Sequence, residues 1–77
     1  MYKDLVEYLV KSLVDDKESV SLTETDTDGK LVITIKVASS DMGRVIGKDG
    51  RIIKSIREIV RAYSAKNGVK VSVDIEE

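Results

Sequence analysis

The stretch Val45-Ile46-Gly47-Lys48-Asp49-Gly50-Arg51-Ile52-Ile53 holds the residues best placed to do chemistry. Two glycines bracket two polar residues, with an apolar pair before them and a long apolar-periodic segment after. A helix that runs into Gly-x-x-Gly and out into a second helix makes a tight turn with few side chains. Its backbone amides and the N-terminus of the following helix are then open to an anion. Arg44, Lys48, Arg51 and Lys54 crowd the same turn, so a nucleic-acid phosphate is the anion to expect. Asp49 sets a negative charge beside Lys48 and partly offsets it. The glycines also serve as a helix C-cap followed by a helix start, so their meaning depends on the rest of the chain.

Other constellations fail on spacing. Glu24-x-Asp26-x-Asp28-Gly29 begins like a calcium loop, but Ile35 stands at the twelfth position, where an EF-hand needs Glu. Those acids read as hairpin turn formers. The run Gly43 to Asp49 sits one residue short of a phosphate-binding P-loop, and Asp49 replaces the Ser or Thr that would hold magnesium. Asp15, Asp16 and Glu18 lie together without a base, nucleophile or pocket signal. Nothing here argues for an enzyme, a cofactor or a small-molecule substrate. The chain has neither His nor Cys, which removes the commonest general base and any thiolate metal site.

Charge is unevenly placed. The 77 residues carry a net charge of only −1. Residues 1–41 hold five Lys against nine Asp or Glu, whereas residues 42–66 hold seven Lys or Arg against two acids. The glycine turn thus lies inside the one basic segment. No apolar run is long enough to span a membrane, and no signal-peptide pattern opens the chain, so a cytoplasmic protein of one domain, residues 1–77, is expected.

The elements that must position the turn follow from periodicity. Tyr2, Leu5, Val6, Leu9 and Leu13 predict an amphipathic helix closed by Asp15-Asp16. A strand is expected from Val20 to Thr25 with Val20 and Leu22 inward. Leu31, Ile33, Ile35 and Val37 alternate with Val32, Thr34 and Lys36 to give a second strand. Asp28-Gly29 between them is a two-residue hairpin signal. Ser39, Ser40 and Asp41 offer N-caps for a short helix from Asp41 to Ile46. A longer helix should run from Gly50 to Lys66 and end at Asn67-Gly68. Val69, Val71, Val73 and Ile75 alternate with Lys70, Ser72 and Asp74 in a last strand. The expected order is α-β-β-α-α-β, an α+β fold. One face of its three-stranded sheet should carry the helices and the other should face water.

The turn Val45-Ile46-Gly47-Lys48-Asp49-Gly50, the apolar Ile53 and Ile56, and the α-β-β-α-α-β order together resemble a KH domain of the bacterial type II arrangement. Length, the start Leu5-Val6-Glu7-Tyr8-Leu9-Val10 and the run Asp41 to Lys48 are similar to the stand-alone bacterial KH proteins of the KhpA family. The resemblance implies an RNA-binding protein acting as a post-transcriptional regulator or RNA chaperone. Its Gly-x-x-Gly loop would clamp the backbone of about four nucleotides of single-stranded RNA. Arg44, Gly47, Lys48, Asp49, Gly50, Arg51 and Lys54 would form the clamp. Val45, Ile46 and Ile53 would make one wall of a base groove, with Val71, Ser72 and Val73 the other. Phe and Trp are absent, so stacking on aromatic rings is scarce and binding should be weakly selective.

The long helix carries a second apolar stripe. Ile53, Ile56 and Val60 should face the sheet. Ile52, Ile59 and Tyr63 cluster roughly 75° away at about 3.6 residues per turn. That stripe either packs under the N-terminal helix or pairs with another copy. The resemblance implies pairing, as a homodimer or with a larger multidomain KH protein. The competing reading of the whole chain is a protein-interaction module whose glycine loop is only structural.

Overall fold

The structure, a computed structural model, describes residues 2–76; Met1 and Glu77 lie outside the described residues. Three helices and three strands follow the expected order: α1 (Tyr2–Lys11), β1 (Ser21–Thr27), β2 (Lys30–Lys36), α2 (Met42–Ile46), α3 (Arg51–Lys66) and β3 (Lys70–Ile75). Short 3-10 turns precede β1, α2 and α3. The strands form one sheet in the order β1-β2-β3, with β1–β2 antiparallel and β2–β3 parallel. A parallel pair cannot be joined by a hairpin, and here α2 and α3 make the crossover. Among the described residues no helix is long and apolar enough to cross a membrane.

The Asp28-Gly29 turn joins Thr27 to Lys30, which pair across it. Both turn residues have positive φ, 52° and 78°, as a hairpin of type I′ requires. Register then puts Leu22 opposite Ile35 and aligns Leu31, Ile33 and Ile35 with Val71, Val73 and Ile75. All of these side chains meet the helices on one face. Thr23, Thr25, Lys30 and Lys36 of the other face are exposed. The core is closed by Ile33, Ile35 and Val73 from the sheet, Val45 from α2, and Ile53, Ile56 and Val60 from α3.

The first helix differs from expectation. It ends at Lys11, not at Asp15-Asp16; its buried line is Tyr2, Val6 and Val10, and Val14 beyond its end is buried too. Leu13 is exposed. The Ser12 hydroxyl bonds the Tyr8 carbonyl at 2.7 Å, and the Leu13 amide bonds the Val10 carbonyl at 3.0 Å in a tightened last turn. That tightening rotates Leu13 out and carries Val14 inward. The first strand also begins one residue later than expected and runs on to Thr27, leaving Val20 half-buried just before it.

Asp41 does not cap α2. It closes the 3-10 turn Ser39–Asp41, and its side chain makes no capping bond to the first-turn amides of the helix that follows. Its carboxylate instead accepts the amides of Asp15 and Asp16, each at 3.0 Å. The loop after α1 has no helix or sheet partners of its own there, and a buried carboxylate with two acceptor oxygens satisfies both donors.

Candidate nucleic-acid interface

The glycine turn is built from two glycines with different duties. Gly47 ends α2, its amide bonded to the Gly43 carbonyl at 2.9 Å. It has φ 77° and ψ 171°, a region that in effect only glycine occupies. A Cβ there would lie 2.6 Å from Cγ1 of Ile52. Gly50 begins α3 at φ 73° and ψ 18°, and a Cβ there would meet only Ile53 Cγ2, at 4.0 Å. Gly47 is thus needed by the protein's own packing, whereas a Cβ at Gly50 would meet no clash. Between them Lys48 and Asp49 are exposed. Asp49 sits at φ 58°, left-handed backbone that Asp tolerates better than most residues.

Among the described residues no side chain caps the N-terminus of α3, so its dipole and first-turn amides have no side-chain acceptor there. Lys48, Arg51 and Lys54 surround that end with exposed side chains. Arg44 is used differently from what the sequence suggests. Its guanidinium pairs with Asp41 at 3.2 Å and Asp15 at 3.1 Å and bonds the Ser40 carbonyl at 3.1 Å. It therefore fastens α2 to the loop after α1, with its remaining surface at the edge of the basic patch. The Asp41 carboxyl at the centre of this knot is held below the usual carboxylate range. The Asp15 amide contributes most, then that of Asp16, with Arg44 adding to both against the opposing effect of burial.

The groove is narrower in its side chains than the sequence implies. Val45 is 0% exposed and Ile53 is 5% exposed, so both are committed to the core and cannot wall an open groove. The Val73 side chain is buried with them. Helical periodicity sends every third or fourth residue to the sheet, and Val45 of α2 and Ile53 of α3 are among those residues. Ile46, Val71 and Ser72 are half-buried and remain at the surface.

What β3 offers is its backbone. Among the described residues it is an edge strand of the sheet. The Glu76 amide bonds Ile35 of β2, so by alternation the peptide groups of Val71, Val73 and Ile75 point to the free edge. One of these is met: Arg57 of α3 donates from Nε to the Val73 carbonyl at 2.8 Å. The others are donors and acceptors of the kind a base edge can bond.

Arg57 was not singled out by the sequence reading, nor was Arg61 placed in the site. The signal was present, because Lys54, Arg57 and Arg61 stand at i, i+3 and i+7, one stripe of α3. The second apolar stripe divides. Ile52 is half-buried, its side chain filling the space where a Gly47 Cβ would stand. Ile59 and Tyr63 remain 48% and 41% exposed. The Tyr63 ring also meets Tyr2 of α1 edge-on, centroids 5.5 Å apart, so the stripe touches the N-terminal helix there.

The family model for the KH domain of KhpA and KhpB matches residues 3–75. An RNA-binding protein KhpA of Clostridium perfringens is 47% identical over 73 residues, covering 95% of this chain and 97% of that protein. The RNA-binding protein KhpA of Listeria monocytogenes is 45% identical over 97% of this chain and 99% of its own length. Among solved structures, Era of Aquifex aeolicus superposes with a TM-score of 0.63 at 21% identity, over 96% of this chain and 29% of the Era chain. Era in complex with MgGDPNP and a 16S ribosomal RNA fragment gives 0.64. These two likenesses concern the fold. With a family model spanning nearly every residue and relatives matched over almost their full length, the chain belongs to the KhpA/KhpB KH-domain family.

Proposed function

We propose that this chain binds single-stranded RNA, closing the Gly47–Gly50 turn on the sugar-phosphate backbone, and serves as a post-transcriptional regulator or RNA chaperone. The observation that carries this is the open space at Gly50 directly before an uncapped helix, flanked by exposed Lys48. A phosphate entering there meets first-turn amides, the positive end of the α3 dipole and a lysine. Arg51 and Lys54 extend the charge, and the free edge of β3 faces the bases. The curated relatives are named RNA-binding proteins, which agrees with this reading.

Lys48→Asp tests it. Lys48 is exposed, and such surface changes cost only about ±0.5 kcal/mol. The variant should melt like the wild type by circular dichroism yet lose RNA binding in gel shifts, because two adjacent carboxylates repel the phosphate. A folded variant that binds undiminished would favour the interaction module with a purely structural loop. If two to four phosphates are held, the wild-type log-log salt slope should be about −1.4 to −2.8, at roughly −0.7 per contact on single strands.

A second element of the proposal is association through α3, with another copy or with a larger multidomain KH protein. The exposure of Ile59 and Tyr63, one turn apart on one face, supports it.

A further inference from the structure

Away from the glycine turn, a cavity of about 340 Å³ opens where α3 passes β3. Arg57 and Arg61 of α3, Lys30 at the start of β2, and Ser72 and Asp74 of β3 line it. Its chemistry is that of an anion site. Three cationic residues and one carboxylate line it. Among the described residues neither Lys30, Arg57 nor Arg61 is in an ion pair. Arg57 is held in place as well, because its Nε is fixed on the Val73 carbonyl. Among the described residues its two terminal nitrogens make no hydrogen bond or ion pair.

We propose that Lys30, Arg57 and Arg61 form a second phosphate site, which holds the same RNA strand at the end of the groove remote from Gly47–Gly50. This rests on the clamp proposed above and adds to it a second anchor and a path. Arg61 lies ten residues beyond Arg51, about 15 Å along α3 at 1.5 Å per residue. A strand fixed at both points runs parallel to α3, its bases directed to the free edge of β3. Arg57 sits midway and joins the two, bonded to the strand edge and open to the phosphate. Asp74 opposes the anion and limits affinity at this end.

The test uses the whole chain and a fluorescent octauridylate. Titration is followed by nitrogen–proton NMR of the backbone amides and the arginine Nε–H groups. Shifts at Gly47–Gly50 together with shifts at Arg57, Arg61 and Ser72 are expected. The double variant Lys30→Gln with Arg61→Gln alters two exposed residues. It should keep its thermal melt, lose three- to tenfold in affinity, and flatten the salt slope by about 0.7 to 1.4. Asp74→Asn should tighten binding. Shifts confined to Gly47–Gly50, with an unchanged salt slope in the double variant, overturn the second site and leave the clamp standing. Shifts confined to Arg57 and Arg61 keep the anion site and overturn the clamp. No shift at either place overturns both.

Discussion

The two glycines of one short motif answer to different forces. The sequence offers a single reason for both, the lack of a Cβ that would block a phosphate. At Gly50 a Cβ would meet only Ile53 Cγ2, at 4.0 Å, so the protein's own packing does not require glycine there. Gly47 is fixed by the fold, since a Cβ would press on three carbon atoms of Ile52 within 2.9 Å. Gly47→Ala should therefore destabilise by at least about 2 kcal/mol, from strained backbone and overpacking together. Gly50→Ala should cost only the left-handed conformation, about 1–2 kcal/mol, while RNA affinity falls further than stability. Thermal melts and binding isotherms on the pair check this, and equal loss of stability in both would contradict the division. The distinction was not legible beforehand, because the clash involves the rotamer of Ile52, which only packing decides.

At the scale of elements, periodicity was a good guide where neighbours in sequence are neighbours in space. The alternation in β2 and β3, the Asp28-Gly29 turn and the buried line of α3 each depend on residues a few positions apart. Errors arose where a distant partner intervened. Asp41 looks like an N-cap because the short helix follows it at once, yet its oxygens go to amides 26 and 25 residues away. Arg44 reads as a phosphate ligand, and in the fold its guanidinium also pairs with nearby Asp41 and with distant Asp15. This knot makes a pH prediction. The folded Asp41 carboxyl binds a proton less readily than the unfolded one, so its contribution is complete above the unfolded value of about 3.9. It is lost as pH falls through the lower folded value. Asp41→Asn places an NH2 group against a backbone N–H, leaving one donor unmet. The variant should melt at a lower temperature at neutral pH and lose less further stability on acidification below about pH 4. Parallel curves of melting temperature against pH for the two proteins would remove Asp41 as the source.

On the whole molecule, α3 presents two faces of opposite character, one cationic and one apolar. At 100° per residue, Lys54, Arg57 and Arg61 centre on one side, and Ile59 with Tyr63 lies about 180° round the helix. The net charge of −1 conceals this, because the acids of the first half sit elsewhere. Ile52 was expected to extend the apolar stripe, but the glycine turn claims it, so the exposed apolar surface centres on Ile59 and Tyr63 in the C-terminal half of α3. Pairing there would bury surface that a small monomer otherwise leaves in water, and would turn the two grooves away from each other. Two such sites on one strand bind with a raised effective concentration wherever the RNA is long enough to reach both. Ile59→Asp should therefore give a folded monomer, since Ile59 is about half exposed and contributes little to the core. Analytical ultracentrifugation at tens of micromolar should show a wild-type dimer and a monomeric variant. The variant should bind octauridylate as the wild type does, but without the wild type's gain on strands several times longer. A wild type that sediments as a monomer removes the homodimer and leaves the larger KH protein as the partner to test. An unfolded variant would show that Ile59 supports the core, and equal affinity of both proteins for long strands would separate dimerisation from RNA binding.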